Sequence, residues 1–135
     1  MTPTLHALAG FITWALLLLL LMELLRVRLV VTKAVAPNAF LPDNSNLSPF
    51  MQRLARAHAN CVETLPLFGG LMLIAVVAGK AEITDPLAYA LLAARIVQST
   101  VHLASLSVTA VNVRFLAFMV QLGIALYWAL RLVLG

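Results

Sequence analysis

Apolar positions dominate four long stretches of the chain, and polar residues and turn formers gather between them. Each stretch is long enough to cross a bilayer as a helix, which takes about 20 mostly apolar residues. The pattern predicts helices near residues 5–33, 48–79, 86–107 and 112–134. The first two exceed the bilayer thickness, so we expect both to extend into water on one side. The sequence therefore predicts one all-α domain over residues 1–135, a four-helix membrane bundle.

The connections carry clear helix boundaries. Residues 35–49 hold three prolines and several turn formers, and Ser48 followed by Pro49 is typical of a helix start, with a capping hydroxyl before a proline. Residues 79–86 form a short second turn, in which Thr84 or Asp85 is placed to cap the third helix. Pro66 lies inside the second helix, where it removes one backbone hydrogen bond and predicts a kink.

A polar stripe interrupts the apolar second helix. Its members recur at spacings of three, four and three and are Arg53, Arg56, Asn60 and Glu63. At 100° per residue they fall within one narrow arc. Ionisable groups at membrane depth are costly, so they normally face a partner helix, a watery cavity or a charged ligand. The stripe is therefore a candidate binding site.

The third and fourth helices repeat this pattern more weakly. The third helix carries a polar face made of Arg95, Gln98, Ser99 and His102, and the fourth carries one made of Arg114 and Gln121. Three helices thus turn polar faces toward something other than lipid. A bundle this small cannot easily hide all of them within one subunit, so we expect the protein to form an oligomer.

Structural roles remain open for several of these residues. Arg53 and Arg114 sit near helix ends and could extend their guanidinium groups to lipid phosphates. Glu63 could form an ion pair with Arg95 that joins two helices. Asn60 could serve as a hydrogen-bonding residue between helices. Each alternative competes with a ligand-binding role at the same position.

Two further residues have structural interpretations. Glu23 lies one turn before Arg26, so the two charges could neutralise each other, or Arg26 could reach a ligand on a neighbouring subunit. Cys61 is the only cysteine, which excludes an intrachain disulfide framework and a cysteine-only metal site. We expect Cys61 to act as a small apolar filler.

Composition and charge agree with a membrane protein. The chain is 63% hydrophobic and 10% charged, with a mean hydropathy of +1.02, which excludes an ordinary soluble domain. A net charge of +4 could suggest nucleic-acid binding, but the arginines are divided among helix ends and interiors. Most basic residues lie in or beside the first and third connections. The positive-inside rule then places those connections in the cytoplasm and both termini outside.

One string of the second helix resembles the signature of the MAPEG family, the membrane-associated proteins of eicosanoid and glutathione metabolism. That string is Arg53-x-x-Arg56-Ala57-His58-x-Asn60-Cys61-x-Glu63-x-x-Pro66-x-Phe68. The Arg-Val-Arg sequence at the end of the first helix and Arg95 in the third helix also fit, so the resemblance covers most of the chain. It implies a homotrimer of four-helix subunits that binds glutathione between subunits near the cytoplasmic face.

The resemblance also implies a set of site residues. Glutathione, as cosubstrate, would be bound by Arg26 of the adjacent subunit's first helix and by Arg53, Arg56, Asn60, Glu63, Arg95, Gln98 and His102. Many family members carry tyrosines on the third helix where this chain has Gln98 and His102. Arg114 resembles the arginine beside the glutathione sulfur, which makes it the candidate catalytic residue. No metal, nucleotide or nucleic acid is required.

These observations predict a membrane glutathione transferase or peroxidase that attacks apolar electrophiles or lipid hydroperoxides. Arginines suit the two carboxylates of glutathione, and Arg114 would favour the thiolate, which is the nucleophile. One alternative is a non-catalytic lipid-binding protein of the same family, and another is a small transporter that uses the polar stripe as a substrate path. We expect a bacterial inner-membrane protein with its glutathione site facing the cytoplasm.

Overall fold

A computed structural model describes all of residues 1–135 and contains helices and connections only. The helices are α1 (Pro3–Val31), α2 (Pro49–Val77), α3 (Ala81–Ala104) and α4 (Val108–Leu134). Each is long and apolar enough to cross a membrane. The predicted all-α class with four long apolar helices is therefore confirmed.

Three of the four helices begin with a capping side chain. Ser48 accepts a hydrogen bond from the backbone N–H of Met51 at 3.3 Å, directly before Pro49, as the sequence predicts. Thr2 caps α1 in the same way, and Ser107 caps α4. These hydroxyls satisfy backbone donors that the first helical turn leaves unpaired. Local chemistry thus fixes where α1, α2 and α4 start.

The start of α3 differs from the prediction. This helix begins at Ala81 rather than near residue 86, and no side chain caps it. The expectation that Thr84 or Asp85 caps it is wrong, because both lie inside the helix and contact α1. The hydroxyls of Thr4 and Thr84 are 2.6 Å apart, and the Asp85 carboxylate accepts from the backbone N–H of Thr4 at 3.0 Å. The two residues therefore tie α3 to the first turn of α1.

The second and third helices are the centre of the bundle. Each of them packs against the other three helices, whereas α1 and α4 make no close backbone contact with each other. The core between α1, α2 and α3 includes Phe11 and Phe68, whose rings meet edge to face at 6.3 Å. Gly69 lets α2 approach α1 closely, because a Cβ there would lie 2.9 Å from Leu8.

The connection between α1 and α2 is held by one buried asparagine. Asn44 is fully buried and adopts a left-handed backbone conformation with φ of 57°, which asparagine tolerates better than most residues. Its amide donates to the Met51 carbonyl at 2.8 Å. Its Oδ1 accepts from Arg26 at 2.6 and 3.2 Å. We call these three residues, Arg26, Asn44 and Met51, the loop clasp.

A second polar contact shapes the same connection. The Asp43 carboxylate accepts a hydrogen bond from the backbone N–H of Ser45 at 3.0 Å. This hydrogen bond holds the pKa of Asp43 below its usual value, since it favours the charged form. The carboxylate is therefore ionised wherever the loop is folded at neutral pH.

Replacing Asn44 with alanine should loosen the loop clasp. The change removes three hydrogen bonds at a buried position and keeps a positive φ that alanine tolerates poorly, so we expect a loss of about 1–3 kcal/mol of stability. Thermal unfolding in detergent and hydrogen exchange of residues 32–48 would measure it. Asn38→Ala, at an exposed asparagine of the same connection, is the control. Equal behaviour of the two variants would contradict the role of the clasp.

Candidate functional site

Four of the predicted site residues line one cavity. It has a volume of about 290 Å³ and lies between α2, α3 and α4, toward the end of the bundle where α3 ends and α4 begins. The predicted residues that line it are Asn60, Gln98, His102 and Arg114. Its apolar wall consists of Val111, Phe115 and Phe118, which belong to α4, the helix that also carries Arg114. The cavity therefore places polar side chains next to a surface that suits an apolar group.

Polar atoms at this cavity lack partners within the chain. The Nε2 atom of His102 and the Nε atom of Arg114 are buried and form no hydrogen bond. Leaving such groups unsatisfied in a low-dielectric setting costs free energy. Arg114, Arg56 and Arg53 all lie near enough to act electrostatically on His102. The charge and the free hydrogen-bonding capacity together make this end of the bundle suited to an anionic ligand.

Arg95 does not line the cavity but lies behind it in the core. Its side chain is 1% exposed and no carboxylate accompanies it. Neutral groups accept from its two terminal nitrogens: the Oδ1 atom of Asn60 at 2.5 Å and the hydroxyl of Thr64 at 3.0 Å, while its Nε atom is buried without a partner. The guanidinium also lies 5.3 Å from the ring centre of Phe11, a cation–π contact. Asn60 is thus a hydrogen-bonding residue between helices, as one interpretation of the sequence predicts.

The predicted ion pair between Glu63 and Arg95 is wrong. Glu63 is exposed on the outer surface of the chain, and the single salt bridge of the structure joins Arg26 to Glu23 at 3.2 Å. The reason is angular: α2 turns Asn60, Cys61 and Thr64 toward α3, while Glu63 and Arg56 lie on the other side of the stripe. The stripe is therefore divided between the cavity and the outer surface.

The remaining predicted arginines have partners within the chain. The Nε atom of Arg53 donates to the Leu103 carbonyl at 3.1 Å, which satisfies one of the last carbonyls of α3. Arg26 forms the predicted pair with Glu23 and also belongs to the loop clasp. A contact between Arg26 and a ligand on another subunit stays a prediction. Neither arginine lines the cavity.

Sequence reasoning missed the apolar wall of the cavity and the role of Thr64. A signal for the wall was present, because Val111, Phe115 and Phe118 lie three before, one after and four after Arg114, on the same side of α4. Thr64 lies four residues after Asn60 and therefore also shares its face. In an apolar helix, however, neither apolar residues nor a single threonine stand out from their neighbours, so the sequence does not distinguish these positions from lipid-facing ones.

Cys61 is predicted to be chemically inert in the folded protein. It is fully buried, belongs to the hydrophobic core and has the Ser99 hydroxyl at 3.5 Å, so a thiol reagent cannot reach it. A membrane-permeant maleimide should modify it only after unfolding, as measured by mass spectrometry. Val111→Cys in a Cys61→Ser background is the matched variant, since position 111 lines the cavity and is 40% exposed. Rapid modification of native Cys61 would contradict this packing.

Comparison with known proteins agrees with this arrangement. The sequence model of the MAPEG family matches residues 6–134, nearly the whole chain. No curated protein and no solved structure matches it. Four helices able to cross a membrane, together with polar residues gathered at one end of the bundle, are consistent with that match. The chain is therefore an integral membrane protein that belongs to the MAPEG family, which includes glutathione transferases and peroxidases as well as non-catalytic members.

Proposed function

We propose that the protein is a membrane glutathione transferase or peroxidase that activates the thiol of glutathione to attack an apolar electrophile or a lipid hydroperoxide. The observation that carries this proposal is the mixed lining of the cavity, in which Arg114 and Asn60 lie beside an apolar wall of Val111, Phe115 and Phe118. A thiolate and an apolar second substrate need these two environments side by side. Family membership supplies the link to glutathione.

Glutathione fits the charges at this end of the bundle. It carries two carboxylates, which arginine binds in a planar, two-pronged way, and one ammonium group. Arg53 and Arg56 lie at the same end as the cavity and have side-chain donors left for the carboxylates. Glu63 is the carboxylate suited to the ammonium. In this proposal Gln98 and His102 complete the site from α3, and glutathione acts as cosubstrate rather than as a bound cofactor.

Arg114 is the proposed catalytic residue. Its guanidinium lines the cavity with its Nε atom unpartnered, and a fixed positive charge there favours the thiolate over the thiol. The thiolate sulfur then forms a bond to the electrophilic carbon as the leaving group departs with the bonding electrons. With a hydroperoxide, the sulfur attacks the terminal oxygen, and the O–O bond breaks as the lipid alkoxide leaves and takes up a proton to become the alcohol. A second glutathione then reduces the resulting sulfenic acid, which gives glutathione disulfide and water.

The exposed charges of α2 support an oligomer. Glu63 lies within α2 (Pro49–Val77), a helix long enough to cross the membrane, and is exposed on the outer surface of the single chain. A carboxylate that faces lipid is costly, and a neighbouring subunit would shield it. Exposed Arg56 lies two turns earlier on the same side. We propose a homotrimer in which glutathione is held between subunits and Arg26 comes from the adjacent one.

The distribution of basic residues supports an orientation. The cavity lies at the end of the bundle that also carries the connection after Arg26 and Arg28, and basic connections stay in the cytoplasm. We therefore propose that glutathione enters from the cytoplasm and that both termini lie outside. A bacterial inner membrane is the proposed location, and the apolar substrate would arrive from the bilayer.

Arg114→Ala should abolish activation of the thiol. Glutathione added to the wild-type protein in detergent should produce the ultraviolet absorbance of a bound thiolate near neutral pH, and the variant should lose this signal because its positive charge is gone. Turnover of an aromatic electrophile should fall by roughly 100-fold or more, as expected for removal of a transition-state charge partner.

Arg131→Ala is the control for this experiment. Arg131 lies on the same helix, but its guanidinium contacts Tyr127 at the far end of the bundle. This variant should keep the thiolate signal. Glutathione binding without a thiolate signal in the wild-type protein would indicate a non-catalytic binder. The absence of any glutathione binding would overturn the proposed function and favour a structural or transport role for the polar residues.

Glu63→Leu should weaken the oligomer more than a substitution at an exposed apolar position does. Native mass spectrometry of the wild-type protein in detergent should show three subunits, and the variant should dissociate more readily, because leucine gives the interface no polar partner. Leu130→Ala, at an exposed apolar position on α4, is the comparison. A wild-type protein that stays monomeric in mild detergent and in lipid nanodiscs would contradict the oligomer.

A further inference from the structure

A second cavity lies between the end of α1 and the start of α2. It has a volume of about 230 Å³, and the residues that line it are Leu25, Arg28, Leu29, Ser48, Phe50 and Met51. None of these residues lines the cavity between α2, α3 and α4. We call this second cavity the α1–α2 groove.

The loop clasp holds the two sides of the groove in place. Arg26 of α1 and Met51 of α2 both form hydrogen bonds with Asn44, so these two helix ends stay together while the clasp is intact. Leu25 and Leu29 pack against the hydrophobic core, and Met51 is 5% exposed. The groove is therefore a preformed part of the fold with an apolar floor.

The two polar groups at the groove are hydrogen-bond donors without acceptors. The Arg28 guanidinium forms no hydrogen bond or salt bridge within the chain, whereas Arg26, two residues earlier, donates from all three of its guanidinium nitrogens. The hydroxyl oxygen of Ser48 accepts from the backbone N–H of Met51, and its own hydrogen has no acceptor within the chain. A free guanidinium and a free hydroxyl at one groove suit an anionic group such as a phosphate.

The surroundings of Arg28 favour a lipid over a soluble anion. Leu24 lies one turn before Arg28 and Val31 lies one turn after it, on the same side of α1. Their side chains are 58% and 74% exposed, so an apolar surface borders the groove on the outside of the chain. Arg28 also lies near the end of its helix, where an arginine can extend its guanidinium to the level of lipid phosphates.

We propose that the α1–α2 groove binds one anionic phospholipid from the leaflet at this end of the bundle. The lipid phosphate accepts hydrogen bonds from Arg28 and Ser48. The first carbons of an acyl chain lie on Leu25, Leu29 and Phe50, and the rest of the lipid stays in the bilayer. Basic pockets between membrane helices recognise anionic head groups in the same way. Glutathione plays no part in this site.

Arg28→Gln is the discriminating variant. Native mass spectrometry in a neutral detergent should show that each wild-type chain binds one phosphatidylglycerol, roughly 10-fold more tightly than phosphatidylcholine, whose choline offsets the phosphate charge. The variant should lose this preference, and its affinity for phosphatidylglycerol should fall by roughly 10-fold, because its amide carries no charge. Arg28→Lys keeps the charge without the planar pair of donors and should recover part of the preference. All three proteins should unfold at the same temperature, since the Arg28 side chain has no partner within the chain.

Lys33→Gln is the matched control. It removes the same charge from an exposed position in the connection after α1, and Lys33 does not line the groove. This variant should keep its affinity for phosphatidylglycerol within about threefold. Equal weakening by Lys33→Gln and Arg28→Gln would overturn the groove as the binding site, because the lipid would then respond to the total charge of this end of the bundle.

Glycerol phosphate separates a lipid from a soluble phosphate. It carries a phosphate without acyl chains and should not displace phosphatidylglycerol at equal concentration. Displacement would overturn the lipid as the occupant, and equal affinity of the wild-type protein for the two phospholipids would overturn the anionic preference. None of these outcomes depends on glutathione, so the lipid site and the proposed function can each fail while the other stands.

Discussion

The bundle depends on a positive charge that is buried without a negative partner. An arginine at the centre of a membrane helix costs about 2.5–3.5 kcal/mol on insertion scales. Arg95 is tolerated because Asn60 and Thr64 accept hydrogen bonds from its guanidinium and the ring of Phe11 forms a cation–π contact with it. These partners come from α1 and α2, whereas Arg95 belongs to α3. The three helices are thereby fixed in one mutual arrangement, since any rotation of α3 would leave the charge unsatisfied.

That arrangement also determines the cavity. Because Asn60 has to face α3 to meet Arg95, the rest of the polar stripe of α2 is turned outward, with Arg56 and Glu63 on the surface of the chain. Gln98, one turn after Arg95, then extends the polar contact to Gln121 of α4. The residues that hold the helices together and those that line the cavity are neighbours in the same hydrogen-bonded chain.

Much of this architecture could be predicted from the sequence because its signals are local. Helix lengths, the capping role of Ser48 and the polar face of α3 follow from hydropathy, turn chemistry and helical periodicity. The pairing of Glu63 with Arg95 was predicted wrongly for a physical reason. Opposite charges on adjacent helices suggest an ion pair. Which side chain of α2 meets Arg95, however, depends on the rotation of α2 about its axis, and that rotation brings Asn60 and Thr64 to Arg95 instead of Glu63. Neutral partners such as Thr64 carry no signal in the sequence.

The connectivity of the helices has a consequence for how the protein is made. The loop clasp closes α1 onto the start of α2 through residues close in sequence, and α1 makes no close backbone contact with α4. Contacts between residues near in sequence form early, and membrane chains emerge from the N-terminus. The first two helices can therefore settle as a hairpin while the ribosome is still translating α3. The cavity, by contrast, exists only once Phe115 and Phe118 have entered the membrane, so it is the last part of the bundle to form.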